Sequence, residues 1–201
     1  MSCIIYEPVK TIVKFHVKCA MTSLLEFYGR PWHPSEPGVF GTGMAIDKSR
    51  KTDLQKMSYY KKHWPTFFTA TFIRNPFDRM VSAYYYSYQH FSRSHPDRVS
   101  EYTFDAFIDD IRQDTRKYFG KPVPYVHFID IPVDFIGKFE NLEEDVKTLC
   151  ELRNVKYPGR PKQRNRSRRP SKGYREFFTD KTREIVYNLY EDDFKRFNYS
   201  W

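Results

Sequence analysis

Residues 66–88 read TFFTATFIRNPFDRMVSAYYYSY, and the reading of this stretch decides the fold. Its first half is an apolar, β-branched and aromatic run that ends on Arg74, the composition of a buried strand. Asn75-Pro76 breaks the run. Beyond the break, Phe77, Met80, Val81, Tyr84, Tyr85 and Tyr88 recur at helical spacing, so an amphipathic helix opens at once. Pro76 suits the first helical turn, where its missing N–H costs nothing. The pattern predicts a strand, a sharp turn and a helix, with Arg74 at the strand's carboxyl end beside a helix N-terminus. Open α/β folds bind ligands at that place, and helix N-termini favour anions. Ser82, two turns into the helix, adds a hydroxyl able to help hold an anion. The competing reading of Arg74 is a plain ion pair with a neighbouring carboxylate such as Asp78.

A second unit of the same kind lies earlier. Residues 11–17, TIVKFHV, alternate weakly and are β-rich, which predicts a first strand. Lys18-Cys19-Ala20-Met21-Thr22-Ser23 follows, and LLEFYG then reads as a helix stopped by Gly29. Backbone N–H groups, the Thr22 and Ser23 hydroxyls and the Lys18 ammonium would converge on a phosphate in such a turn. Alternatively Thr22 or Ser23 merely caps the helix and Lys18 is solvated. The glycines of a GxxxxGK[ST] loop are missing, which argues against an ordinary nucleoside triphosphatase.

Working outward, residues 30–50 are rich in Pro and Gly and predict a loop, with a short strand near Val39-Phe40; residues 51–63 suit a short helix. After the polar break SRSHPDRVS, Ser100 or Thr103 is placed to cap a helix through FDAFIDDIRQDTRKYF. The segment GKPVPYVHFIDIPVDFIGKF holds one or two strands, VDFIGKF the clearer, and LEEDVKTLCELRNV is an amphipathic helix. The C-terminal FTDKTREIVYNLYEDDFKRFNYSW reads as one helix with Ile185, Val186, Leu189, Tyr190 and Phe194 on one face. Strands alternating with helices imply an α/β fold of three layers, a mainly parallel central sheet flanked by helices. No repeat or linker divides the chain, so residues 1–201 are expected to form a single domain.

The composition narrows the class. Aromatic residues make up 18% of the 201, far from the composition of a disordered chain. The net charge of +9 is local, because residues 158–173, PGRPKQRNRSRRPSKG, carry seven basic residues and no acid. No stretch approaches the ~20 apolar residues of a membrane helix, and no basic segment followed by a cleavable apolar core marks a secretory signal. Cys3, Cys19 and Cys150 have neither metal-ligand spacing nor a disulfide pattern, which fits a reducing cytoplasm.

With two phosphate-suited turns in hand, the chain resembles the sulfotransferases that use 3′-phosphoadenosine 5′-phosphosulfate (PAPS), in the branch of the Golgi carbohydrate sulfotransferases, whose fold is P-loop-like. VKCAMTSLL resembles the family's 5′-phosphosulfate loop, PKxxxTS, and FIRNPFDRMVSAYYY its 3′-phosphate motif, RxPxxRxxSxY. DFIGKFENLEEDVKTL and YREFFTDKTREIVYNLYEDDFKRFNYSW are similar to its later strand–helix segment and C-terminal helix. The resemblance implies that Lys18 contacts the 5′-phosphosulfate and that Cys19, Ala20, Met21, Thr22 and Ser23 cradle the 5′-phosphate. It implies that Arg74 and Ser82 bind the 3′-phosphate, and that Arg166, Arg168, Arg169 or Lys172 folds over the nucleotide. No metal is implied. Sulfuryl transfer is an in-line displacement in which positioning and electrostatics supply most of the catalysis, as in phosphoryl transfer.

The sequence departs from the family pattern at Val17 and Met21, where the loop's proline and glycine would stand. The general base lies open. Relatives place a His or Glu between the two phosphate motifs; here His33 and Asp47 are the candidates, with His16, Glu36 and His63 less well placed. The implied acceptor is a hydroxyl, on a glycan or small molecule. Three other readings stand beside this one. They are nucleic-acid binding through the basic loop, a degenerate relative that binds nucleotide only, and a nucleotide kinase. The expected location is the cytoplasm of a microbial or viral source, unless a Golgi anchor was removed.

Overall fold

The computed structural model describes residues 2–6, 9–16, 18–19, 44–47, 64–113, 123–127, 129, 133–157, 159, 169–170 and 173–201. The strands are β1 (Ser2–Tyr6), β2 (Thr11–Phe15), β3 (Met44–Asp47), β4 (Phe68–Ile73) and β5 (Phe135–Lys138). The α-helices are α1 (Pro76–Ser94), α2 (Phe104–Gln113), α3 (Leu142–Leu152), α4 (Asp180–Leu189) and α5 (Glu191–Phe197). They fall into two compact units, Met1–Ile73 with Ile131–Asn165, and Arg74–Asp130 with Arg166–Trp201.

The first unit is built on a sheet of order β3-β1-β2-β4-β5. β2, β4 and β5 are parallel neighbours, whereas β1 is antiparallel to both β2 and β3. The class is α/β with a parallel core, as the alternating pattern implies. From Thr69 to Ile73, β4 is buried at every residue. A continuous apolar run, not an alternating one, is the sequence of a strand covered on both faces. Val146, Leu149 and Cys150 of α3 pack with Val13, Ala70 and Phe72 in one core. Their spacing along α3 is the helical stripe, and Glu143, Glu144 and Asp145 in its first turn suit the helix dipole. Asp134 pins the entry of β5, accepting from the Thr69 N–H and hydroxyl at 2.7 and 2.9 Å.

The second unit is helical. Phe77, Met80, Val81 and Ala83 of α1 share a core with Phe104, Phe107, Ile108 and Ile111 of α2 and with Val186, Tyr190 and Phe194. Thr103 caps α2, accepting the Ala106 N–H at 3.2 Å. Ser100 instead lies in a 3-10 turn, Pro96–Glu101.

Several expectations are corrected in detail. The first strand ends at Phe15, and it is preceded by β1, which pairs with it as a hairpin through a turn at Lys10 (φ 43). The single C-terminal helix is two, broken at Tyr190, which ends α4 and starts α5. Of the one or two strands expected over residues 120–139, the clearer one is present as β5, and Tyr125–His127 is a 3-10 turn. The helix expected over LLEFYG, the strand near Val39-Phe40, the helix in 51–63 and the continuation of α2 past Gln113 lie outside the described residues. Among the described residues no helix is long and apolar enough to cross a membrane.

Candidate anion-binding site

The carboxyl ends of β2 and β4 lie side by side, since Lys14 is in register with Thr71. The chain leaves β2 through a turn in which the Cys19 N–H donates to the His16 carbonyl at 3.3 Å. Lys18 sits in the left-handed region, φ 65, a conformation that costs a non-glycine residue about 1 kcal/mol. Burial of Cys19 on one side of it and of His16 on the other holds the turn. Lys18 itself is half-buried. Asp47 closes β3 opposite Ser2, which is also opposite Phe15. Its backbone therefore stands at the sheet end from which the Lys18 turn departs, about 10 Å from β2. Ala20, Met21, Thr22, Ser23, His33, Glu36, His63, Arg166, Arg168 and Lys172 lie outside the described residues.

In the second unit the sequence around Asn75-Pro76 builds a firmly held helix start. The Asn75 side chain accepts the Phe77 N–H at 2.9 Å and donates to the Ser200 carbonyl at 3.0 Å, so the cap is tied to the C-terminus. Arg74, 6% exposed, directs Nε and Nη2 at Asp78 Oδ2, each at 2.7 Å. The ion pair of the competing reading is thus present. It is not alone, because Asp78 Oδ1 accepts Nη1 of Arg169 at 2.5 Å. Two guanidinium groups share one carboxylate, and the cluster keeps a net positive charge at a helix N-terminus, which suits an anion. Ser82 follows Asp78 by one turn on the same face, nearly buried, and its hydroxyl has no hydrogen bond among the described residues. Tyr85 continues that face; burial raises its hydroxyl pKa and the charge of Arg169 pulls it back. Arg74, Ser82 and Arg169, selected separately from the sequence, are therefore gathered on one side of α1.

Behind Arg74 stands a buried network that the sequence reading missed. The Tyr125 hydroxyl accepts the Arg74 N–H at 3.0 Å and donates to the Arg74 carbonyl at 3.2 Å. Tyr125 is held by Asp193, whose carboxylate accepts the Tyr125 and Val126 N–H groups at 2.7 and 2.9 Å. Arg79 covers the Tyr125 ring at 4.1 Å and donates to the Val123 carbonyl at 2.9 Å. Asp193 is fully buried, and this raises its pKa despite the two N–H groups it accepts. One signal for Asp193 was legible. It falls on the stripe of Val186, Leu189, Tyr190 and Phe194, and an acid on an apolar stripe is an acid with a buried partner. Tyr125 carried no comparable signal, since a Pro-flanked aromatic reads equally as strand or turn.

Residues 19–200 match the sulfotransferase family, a stretch that contains Arg74, Ser82 and Arg169. The chain is 26% identical over 184 residues to human carbohydrate sulfotransferase 8, covering 75% of this chain and 42% of the relative. It is 25% identical over 168 residues to human carbohydrate sulfotransferase 9, covering 67% of this chain and 38% of the relative. The chain thus spans less than half the length of the curated relatives it matches. No solved structure matches it significantly. A loop–helix start that gathers arginines and a serine, and a family match over nearly the whole chain, lead to one conclusion: this chain belongs to the sulfotransferase family.

Proposed function

We propose that this chain transfers the sulfuryl group of PAPS to an acceptor hydroxyl on a carbohydrate. The observation that carries the reading is the grouping of Arg74, Arg169 and Ser82 on one side of the α1 N-terminus, a set of donors suited to a doubly charged phosphate. In this reading Arg74 and Ser82 receive the 3′-phosphate. Lys18 and the segment Cys19, Ala20, Met21, Thr22 and Ser23 receive the 5′-phosphosulfate. Arg166, Arg168 and Lys172 are further candidates for the nucleotide beside Arg169. The acceptor oxygen attacks sulfur in line, and the bond from sulfur to the 5′-phosphate oxygen breaks. A general base takes the acceptor's proton, and adenosine 3′,5′-bisphosphate leaves. Lys18 stabilises the charge on the departing oxygen. His33 and Asp47 are the candidate bases, and the place of Asp47 at the end of β3 favours it. Similarity to two human carbohydrate sulfotransferases supports a carbohydrate acceptor. Residues 1–201 act as a single catalytic domain, and the buried thiols Cys19 and Cys150 suit a reducing cytoplasm.

Thermal unfolding with adenosine 3′,5′-bisphosphate tests the nucleotide half of the proposal, with AMP and ATP as controls. At a hundredfold excess over its Kd, a ligand of the native state adds ~2.7 kcal/mol. The expected outcome is stabilisation by the bisphosphate well beyond that by AMP or ATP, lost in Arg74→Ala and Ser82→Ala. Equal shifts with all three nucleotides would sink the reading. Transfer of labelled sulfate from PAPS to a panel of glycans then tests the acceptor.

A further inference from the structure

The simplest explanation of Asp78 is a first-turn acid that complements the helix dipole and neutralises Arg74. That explanation needs one carboxylate oxygen. The other oxygen reaches Arg169, 91 residues later in the chain and inside the basic segment. Arg169, among the described residues, is thereby tied to α1. Its charge is felt at Tyr85, which follows Asp78 and Ser82 on the same helix face. Arg74 reaches the same carboxylate from the helix start, using its Nε and Nη2 edge. The Asp78 carboxylate is nearly buried and accepts from three charged N–H groups, a geometry that fixes both forks.

From this geometry we infer that Asp78 is a positioning residue that sets Arg74 and Arg169 to receive a 3′-phosphate together with the Ser82 hydroxyl. The inference rests on the nucleotide reading above and deepens it. It makes Asp78 the determinant that separates a 3′-phosphorylated nucleotide from one lacking that group, and it gives Arg169 a part in that grip. A carboxylate beside a phosphate site would ordinarily repel the ligand. The opposite effect is expected here because two guanidinium groups stand on its oxygens and are held in place by it.

The test is calorimetric titration of the full chain with adenosine 3′,5′-bisphosphate and with AMP, for wild type, Asp78→Asn, Asp78→Glu, Arg169→Ala and the pair Asp78→Asn with Arg169→Ala. Wild type must first prefer the bisphosphate; without that preference the nucleotide reading itself fails, and the inference with it. Given the preference, Asp78→Asn and Arg169→Ala are each expected to weaken bisphosphate binding about tenfold or more and to leave AMP binding unchanged. Their combination should cost less than the product of the two, since one acts partly through the other. Asp78→Glu, which keeps the charge, should recover part of the loss. A purely structural role for Asp78 would weaken both nucleotides alike, and repulsion would make Asp78→Asn bind the bisphosphate more tightly; either result overturns the inference. Should Asp78→Asn fail to fold, Arg169→Ala, on a partly exposed side chain, decides alone: unchanged preference refutes the shared grip.

Discussion

Gly137 shows how little room one position can leave. A Cβ there would stand 2.4 and 2.6 Å from two ring carbons of Phe72 and 3.2 Å from Asp145 Cβ, all three in the same unit. Phe72 is a fully buried ring in a packed core, so it cannot give way cheaply. Gly137→Ala should therefore lower stability by about 1–3 kcal/mol, read as a drop in the urea midpoint without change of slope. Tyr125→Phe is a finer probe, removing one oxygen that serves both the N–H and the carbonyl of Arg74. It should cost about 1–2 kcal/mol in chemical unfolding, with the fold retained. Arg74 and Ser82 were legible as residues because each sits at a fixed offset from Asn75-Pro76. Asp78 was legible only as a possible partner, since a carboxylate's second partner lies far away in the chain.

At the level of elements, α4 depends on its first turn. Thr179 accepts the Thr182 N–H at 3.2 Å, and the Thr182 hydroxyl accepts the Thr179 N–H at 2.9 Å. Thr179→Ala should lower the melting temperature by the equivalent of about 1 kcal/mol. The central strand–turn–helix emerged from the sequence intact, because a two-faced buried strand, a proline break and a 3.6-residue stripe are each local signals. The break between α4 and α5 did not. The apolar stripe runs through Tyr190 unbroken, and the kink follows from packing around that buried side chain, whose N–H is shared between the Val186 and Tyr187 carbonyls, each at 3.2 Å. Strand β1 escaped for a related reason. Four apolar residues beside a proline are too few to show a period, and only pairing with β2 and β3 makes them a strand.

For the molecule as a whole, the buried Asp193 carries a pH dependence. Its pKa is raised by burial, so between the ordinary carboxylate value and the raised one the native state holds more protons than the unfolded chain. Stability contributed by this group is therefore complete at low pH and is lost as the pH rises through that window. In Asp193→Asn the contribution is absent. The advantage of wild type over the variant in urea unfolding should be largest near pH 4 and shrink as the pH rises; an advantage that grew with pH would contradict the raised pKa.

The sequence by itself determined the α/β class, the strand–turn–helix at Asn75-Pro76 and the family resemblance. Each of these rests on residues a few positions apart, where steric and hydrogen-bonding rules act within one turn or strand. The tertiary structure alone decided which charges meet. Asp78 holding Arg169, Asp193 holding Tyr125 and Tyr125 holding Arg74 join residues 51 to 91 positions apart. No local period encodes such pairs; they exist because burying a charge or an N–H group requires a partner, and only the folded chain brings one within 3 Å.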